Sequence, residues 1–581
     1  MTATFTLSLL AAGGATEILL SVLMLLAGLG VLMTGMKMLS EGLERSAGGS
    51  MRKLFGRISN NRFAGIGVGA VATILVNSSA ATTVMVIGFV NAGLMTLFQA
   101  TSIIMGANIG TTLTGVIIAL SGFDIGSYMA VLVFVGVVIT MFAKNDTVKR
   151  IGYALTGLGL MFVGLSFMSR SIKGSEILTG ALQNLFAFKP VQFPLLLILI
   201  GIICTALFQS SAAMTALVVT MVGTIIPMES ALFIILGTNI GTCVTAIIAS
   251  FGASTNAKRT AMIHLLFNTI GTVLFTTFIW IFKNPVVYLF NLMAPNSPQM
   301  QVALFHVIFN VLTTALLVPF IRPLTRLATL LVKEKKNDDD ILKMYYIDDR
   351  ILHTPPIAVA QVLKEVVNMS EMARDNLDRA MKCVVERNLS EREKVLKEEE
   401  KINFVNKGVA RYLIKMQSLS LSKSDEKLVG SLHHVISDVE RIGDHAENFT
   451  EEASDMIQSD IKFTADAVEE LSRMYEKVRK MFDTAIYVFE NRDTSKLADV
   501  SQMEAEIDVM KRELGNNHVA RLNAGTCSVD CSTHFYSLIT ALERVADHLT
   551  NVAFSIRSAS GSQIEAMAKL AEENAKKHGV G

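Results

Sequence analysis

Charge is scarce over more than half of this chain of 581 residues. Residues 1–330 hold only 17 Lys and Arg and 7 Asp and Glu, a balance of +10. Soluble domains carry roughly 25% charged residues, several times that density. Between Arg62 and Asp124 lie 61 uncharged residues, and between Lys283 and Arg322 lie 38. One bilayer crossing takes about 20 apolar residues, so each stretch is long enough for more than one pass. A soluble α/β core would return charges to its exposed faces far more often. A single water-soluble fold is excluded.

Other absences narrow the reading further. The five cysteines are Cys204, Cys243, Cys383, Cys527 and Cys531, an odd set without a Cys-x-x-Cys pair. That excludes a disulfide framework and a zinc site, and it points to a reducing compartment for the C-terminal part. A single Trp leaves no strong aromatic belt. No basic stretch is interleaved with aromatics, so nucleic acid is not an expected partner. Residues 1–18 lack a basic n-region and a small-residue cleavage site, so no cleaved signal peptide is expected. No G-x-S-x-G, H-E-x-x-H or G-x-x-x-x-G-K-[ST] segment occurs, which argues against an enzyme and against a self-contained ATP-driven pump.

What is present divides in two. Apolar segments recur near 19–40, 65–90, 98–120, 126–143, 151–168, 192–226, 230–250, 260–282 and 301–321, the longer ones being candidates for hairpins or broken helices. Basic clusters at Arg52/Lys53/Arg57/Arg62, Lys144/Lys149/Arg150 and Arg322/Arg326/Lys333/Lys335/Lys336 mark cytoplasmic loops. After residue 330 come 35 basic and 44 acidic residues, a balance of −9. There Leu428, Leu432, Val435, Ile436, Val439, Ile442, Ala446 and Phe449 form one apolar helical stripe. We expect about six helices between 356 and 560. The divisions expected are an N-terminal segment 1–18, a membrane domain 19–325, a linker 326–355, a helical domain 356–560 and a tail 561–581. Within the membrane domain, one repeat covers about 19–140 and a second about 151–325.

Both parts repeat internally. Asn77-Ser78-Ser79-Ala80-Ala81-Thr82-Thr83 matches Gln209-Ser210-Ser211-Ala212-Ala213-Met214-Thr215 at an offset of 132. Gly106-Ala107-Asn108-Ile109-Gly110-Thr111-Thr112 matches Gly237-Thr238-Asn239-Ile240-Gly241-Thr242-Cys243 at 131. Polar groups in hydrocarbon cost several kcal/mol each unless satisfied, so these hydroxyls and amides must face one another, water or a ligand. Their oxygens suit Na⁺, and their donors, with helix N-terminal amides, suit an anion. The four motif glycines would let the backbone break or pack closely. His264-x-x-Phe267-Asn268 and His306-x-x-Phe309-Asn310 read first as interhelical hydrogen-bond pairs, and Glu229 reads as an interfacial residue rather than a proton relay. In the acidic part, Glu440-Arg441-x-x-Asp444-His445 matches Glu543-Arg544-x-x-Asp547-His548 at 103, which makes two tandem three-helix units. The pairs Glu440/Asp444 and Glu543/Asp547, with Glu399, Glu504 and Asp508 on the preceding helices, could bind a hard cation or form ion pairs.

On these motifs the membrane part, about 20–325, resembles the type II sodium/phosphate cotransporter family, whose signature is a repeated Gln-Ser-Ser followed by Gly-x-Asn-Ile-Gly-Thr. The departure is Asn77, one methylene shorter than the usual Gln. The acidic part, about 350–560, resembles the PhoU-like domain family through its doubled E-R-x-x-D. The resemblance implies an all-α fold: a polytopic transporter with two inverted repeats and re-entrant or broken helices, plus a cytoplasmic PhoU-like pair of three-helix bundles. It implies sodium-coupled transport of inorganic phosphate by alternating access across a bacterial cytoplasmic (inner) membrane, with the C-terminal domain inside. Asn77, Ser78, Ser79, Gln209, Ser210 and Ser211 would surround phosphate and sodium. Thr82, Thr83, Asn108, Thr111, Thr112, Thr215, Asn239 and Thr242 would complete the sodium shell. A divalent or ferric metal on Glu440, Asp444, Glu543 and Asp547, a phosphate-signalling protein partner and a homo-oligomer are further implications. A transporter of another oxyanion and a membrane-anchored phosphate sensor remain the alternatives.

Overall fold

The computed structural model describes residues 2–56, 61–123, 126–189, 192–334, 342–353, 355–419, 421 and 423–557. Arg57, Lys335, Lys336 and the tail 561–581 lie outside them. The chain forms two compact units, Met1–Lys336 and Asn337–Gly581. Both are helical, with no strand among the described residues, and all five cysteines are free.

The first unit contains α1 (Thr2–Gly56), α2 (Arg62–Val76), α3 (Ser79–Asn91), α4 (Leu97–Ala119), α5 (Gly126–Met129), α6 (Val131–Phe142), α7 (Asp146–Lys173) and α8 (Glu176–Ala187). It continues with α9 (Pro194–Phe208), α10 (Ser211–Met221), α11 (Met228–Ala249), α12 (Thr255–Ile281), α13 (Lys283–Met293), α14 (Pro298–Leu317) and α15 (Ile321–Leu331). Six stretches among the described residues are long and apolar enough to cross a membrane: Thr16–Glu44, Leu97–Gly122, Asp146–Lys173, Met228–Ala249, Thr255–Ile281 and Pro298–Leu331. Their outer faces are apolar, as Leu19, Leu20, Leu274 and Phe278 illustrate, all about half exposed or more. This is a membrane protein. Residues 2–18 continue α1 rather than standing apart, and α15 carries helix into the stretch expected as linker.

The two longest apolar segments are each cut at their Ser-Ser motif. Asn77 ends α2 at φ 54, and Gln209 ends α9 at φ 52. Ser78 (φ −154) and Ser210 (φ −148) are extended and start α3 and α10. A left-handed residue followed by an extended cap reverses a chain, and Asn accepts that region more readily than most residues. Glycine contacts give the direction of each half. A Cβ on Gly69 would lie 2.0 Å from the Ile103 carbonyl oxygen, and one on Gly106 2.0 Å from that of Ile66. Gly65 meets Ser102 at one end of the contact and Gly110 meets Thr73 at the other, so α2 and α4 run parallel in backbone contact, and α3 must return to the start of α4. The same holds for α9 and α11, where a Cβ on Gly201 would lie 3.0 Å from Gly237 and, one turn on, one on Gly241 would lie 2.6 Å from Thr205. Each Ser-Ser motif is therefore the tip of a helical hairpin. The motif glycines serve close packing, since α4 and α11 are unbroken.

The hairpins open toward opposite ends of the unit. The Ser254 N–H donates to Asn91 Oδ1 at 2.7 Å, which puts the end of α3 beside the end of α11. The end of α10 instead shares a cavity with the end of α4. Helices α1 and α7 pack antiparallel through a second glycine stripe, with Gly28 against Met168 and Gly35 against Met161.

The second unit contains α16 (Pro355–Glu386), α17 (Arg392–Gln417), α18 (Lys423–Gln458), α19 (Ala465–Asn491), α20 (Leu497–Asn523) and α21 (Asp530–Phe554). The expected stripe from Leu428 to Phe449 is buried, as are Leu538, Ile539 and Leu542 at the repeated positions. Three helices form each bundle, and α18 and α21 join them.

Candidate functional site

The tip of each hairpin is built from its own backbone first. Ser78 Oγ accepts from the Ala81 N–H at 3.1 Å, and Ser210 Oγ accepts from the Ala213 N–H at 3.2 Å. The first serine of each pair is thus an N-cap, its hydroxyl spent on the helix start. The second is different. Ser79 and Ser211 are buried, and neither hydroxyl forms a hydrogen bond within the described residues. Four residues on, Thr83 Oγ1 and Thr215 Oγ1 are also buried without a partner. Spacing of four places each Ser and Thr on one helix face. The same two hydroxyls therefore stand ready at equivalent places in both hairpins, beside helix N-termini whose amides favour an anion.

The remaining expected residues sort by what already holds them. Thr82 Oγ1 accepts from Thr73 at 3.0 Å and donates to the Ser78 carbonyl at 3.0 Å. Thr112 and Thr242 donate to carbonyls of their own helices at 2.7 Å. Asn108 Nδ2 donates to the Ile104 carbonyl at 3.0 Å, which leaves its oxygen available. Thr111 is half-buried on α4, and Gln209 is exposed at its tip. Asn77 Oδ1 accepts from Thr114 Oγ1 at 2.6 Å, so the shorter amide is tied to α4.

Asn239 is engaged at both ends. Its Nδ2 donates to Asn310 Oδ1 at 3.0 Å, and its Oδ1 meets His306 Nε2 at 3.1 Å. The expected interhelical pairing of His306 and Asn310 is thus realised, and its target is a motif residue. His306 Nδ1 is buried with no partner. A Cβ on Gly115 would lie 3.5 Å from that nitrogen and 3.7 Å from Thr215 Cγ2. So α4 of the first repeat, α10 of the second and α14 converge at Gly115. Sequence reasoning missed Gly115, whose counterpart Ala246 hides the position. The His-x-x-Phe-Asn spacing was the signal for His306. Glu229 forms an ion pair with Lys283 at 2.8 Å, both partly exposed, in keeping with an interfacial place.

In the second unit the carboxylates meet as their spacing implied. Burial, with Asp444, Glu447 and Glu440 close by, pushes the Glu399 carboxyl up to about 8. Burial and Asp444 likewise raise Glu440, and burial raises Asp444. Asn403 Nδ2 donates to Glu399 Oε1 at 2.9 Å, while Oε2 is buried without a partner. In the second bundle burial raises Glu504 and Asp547, each also facing its carboxylate neighbours. There Lys511 pairs with Glu543 at 3.0 Å. Among the described residues no three His, Cys, Asp or Glu side chains meet so as to hold a metal ion.

Paired hairpins with matching hydroxyl-rich tips, set among membrane-spanning helices and continued by two helical bundles, define a polytopic transport-type protein with a helical accessory unit. The chain belongs to the Na⁺/Pi-cotransporter family, which matches residues 31–170 and 175–292, and the PhoU domain matches 366–453 and 471–556. A protein of Escherichia coli strain K12, provisionally named inorganic phosphate export protein YjbB, is 24% identical over 542 residues. That alignment covers 93% of this chain and 98% of YjbB. The uncharacterized protein YqeW of Bacillus subtilis strain 168 is 30% identical over 306 residues, 52% of this chain and 95% of YqeW. The sodium-dependent phosphate transport protein 2A of Mus musculus is 36% identical over 104 residues, 18% of this chain and 16% of the mouse protein.

Proposed function

We propose that the membrane unit moves inorganic phosphate together with Na⁺ across the cytoplasmic membrane, by alternating access between two inverted repeats. The observation that carries this reading is the set of four hydroxyls without partners at equivalent places: those of Thr83 and Thr215, themselves buried, and those of the buried residues Ser79 and Ser211. Buried polar groups are almost always paired, so unpaired ones at matching sites call for a ligand. No motif residue is basic, so a bare phosphate dianion at this depth would be very unfavourable. Sodium ions arriving with it would offset that charge, and neither ligand would be stable alone. Asn77, Gln209, Asn108 and Thr111 would complete the shells. The antiparallel course of α4 and α11 supports the inverted arrangement, and the mouse relative's name supports sodium as the coupling ion. The acidic unit would sit in the cytoplasm and regulate flux, docking a phosphate-signalling protein.

The test is ³²P-phosphate flux in proteoliposomes of the full chain with and without a Na⁺ gradient. We expect at least tenfold faster flux with the gradient, and equal rates would refute coupling. The name of YjbB favours outward movement of phosphate as the physiological direction. Flux measured from each face under matched gradients tests that second reading.

A further inference from the structure

The cavity where α10 and α4 end has chemistry that the hairpin tips lack. Its volume is about 520 Å³, and it reaches between α7 and α10 as far as the buried Phe162. On α7 it is lined by Ser166, Ser169, Arg170 and Lys173, at helical spacings that put them on one face. Ser121, just past α4, and Gln299, in the first turn of α14, face them from other helices. Among the described residues, none of these six side chains has a hydrogen-bond or ion-pair partner and no carboxylate lines the cavity. Cations on the last turn of a helix also complement its dipole. That accounts for Arg170 and Lys173 alone, and leaves unexplained why hydroxyl and amide donors from two further helices gather opposite them.

Its side of the membrane can be read within this unit. The other end of α7 carries Lys149 and Arg150, and the stretch after α14 carries Arg322 and Arg326. Positive loops lie inside, so the cavity lies at the outer face. It is connected to the proposed transport site by one element. Helix α10 runs from Ser211 at the hairpin tip to Met221 at the cavity, a length of about 16 Å at 1.5 Å per residue.

We propose that this cavity is an oxyanion vestibule, in which Arg170 and Lys173, with Ser166, Ser169, Ser121 and Gln299, hold phosphate at the outer face on its way to or from the hairpins. It rests on the phosphate reading above. Guanidinium and ammonium groups are strong donors to phosphate oxygens, and at the mouth their charge raises the local anion concentration without burying a cation at the membrane centre. A lipid head group offers the same phosphate chemistry, but the reach between helices to the buried Phe162 favours the small free ion.

The experiment uses the full chain in proteoliposomes. Lys173 is labelled from outside with an amine-reactive ester and read by mass spectrometry, with inorganic phosphate as the probe. We expect saturable, several-fold protection of Lys173 by phosphate, with Lys189 labelled equally throughout. The protection should persist in Ser211→Ala, whose hairpin is impaired, so it reports the cavity even if the chain carries no phosphate. Arg170→Gln with Lys173→Gln should raise the half-saturating phosphate concentration at the outer face about tenfold, as expected for two charge-assisted contacts at an exposed site. Labelling indifferent to phosphate would overturn the proposal, whether Lys173 stays open or is shielded by lipid at every phosphate concentration. An equal change at both faces would also overturn it. Protection without any flux would instead keep the vestibule and refute the transport reading.

Discussion

Each unit holds two copies of one idea, and within each the second copy keeps the backbone while changing what secures it. The first hairpin is fastened twice. Thr114 on α4 holds Asn77, and Thr73 holds Thr82. In the second hairpin Gln209 is exposed, Met214 stands where Thr82 would, and the buried Thr205 hydroxyl, the equivalent of Thr73, has no partner. The second unit differs in the same manner. Glu399 lies against Gly443, where a Cβ would come within 2.6 Å of its carboxylate, whereas the second bundle has Ala546 and a Lys511–Glu543 ion pair. A fold that needs the backbone at both copies but the fastenings at only one can spare the other for movement. We read the second hairpin as the more mobile one.

The largest effects should come from what both copies share. Leucine at Gly106 or Gly237 would drive a side chain into a carbonyl 2.0 or 2.1 Å from its Cβ. The backbone cannot step aside, so the loss should exceed the ~1–3 kcal/mol of ordinary overpacking. Little monodisperse protein should survive size-exclusion chromatography, while Gly67→Leu, which has nothing within 4 Å, should purify normally. Next come Ser79→Ala and Ser211→Ala. Each removes a hydroxyl that makes no hydrogen bond among the described residues, so melting temperature should hold while phosphate flux falls about 10–100-fold. Unequal losses would sharpen the contrast between hairpins, and full activity of either mutant would remove that hairpin from the site. A smaller effect tests the fastening itself. Thr114→Val should lower the stability of the full chain by about 1 kcal/mol. Thr245→Val at the equivalent place on α11 should leave it unchanged. Equal losses in a thermal melt would break the asymmetry argued above.

Much of this was legible before any coordinates. Long uncharged runs marked the membrane helices because hydrocarbon tolerates little else, and the doubled motifs marked the hairpin tips because polar runs in lipid need a purpose. The break within 65–90 could be anticipated, but not its form. Whether Asn77 kinks a continuous helix or reverses it depends on one left-handed φ and on glycines 30 residues away. Which serine keeps its hydroxyl uncommitted was also hidden, since Ser78 and Ser79 look alike until one is seen to cap the helix. Gly115 and the cavity around Arg170 were invisible, because they are assembled from helices far apart in sequence and only one copy of the repeat carries them. The pairing of Glu399 with Glu440 and Asp444 was readable from the helical stripe, which fixes the facing sides of α17 and α18.

The smallest effect concerns that carboxylate group and separates the two bundles by pH. Glu399 has its carboxyl pushed from an ordinary 4.5 up to about 8, so the fold prefers it neutral. The stability contributed by the neutral form is whole below pH about 4.5. It declines above that, as the unfolded chain's carboxyl ionises, and it is gone above about 8. Glu399→Gln keeps the shape and the bond from Asn403 but cannot ionise. Its melting temperature should match wild type near pH 5 and exceed it by about 2–4 °C near pH 8.5, a shift of the size expected for ~1 kcal/mol in a unit of this length. Glu543→Gln, which loses the ion pair to Lys511, should instead be neutral or slightly destabilising at both pH values. If Glu399→Gln shows no gain at high pH, the ionised carboxylate is already accommodated, and the first bundle secures its acids as the second one does.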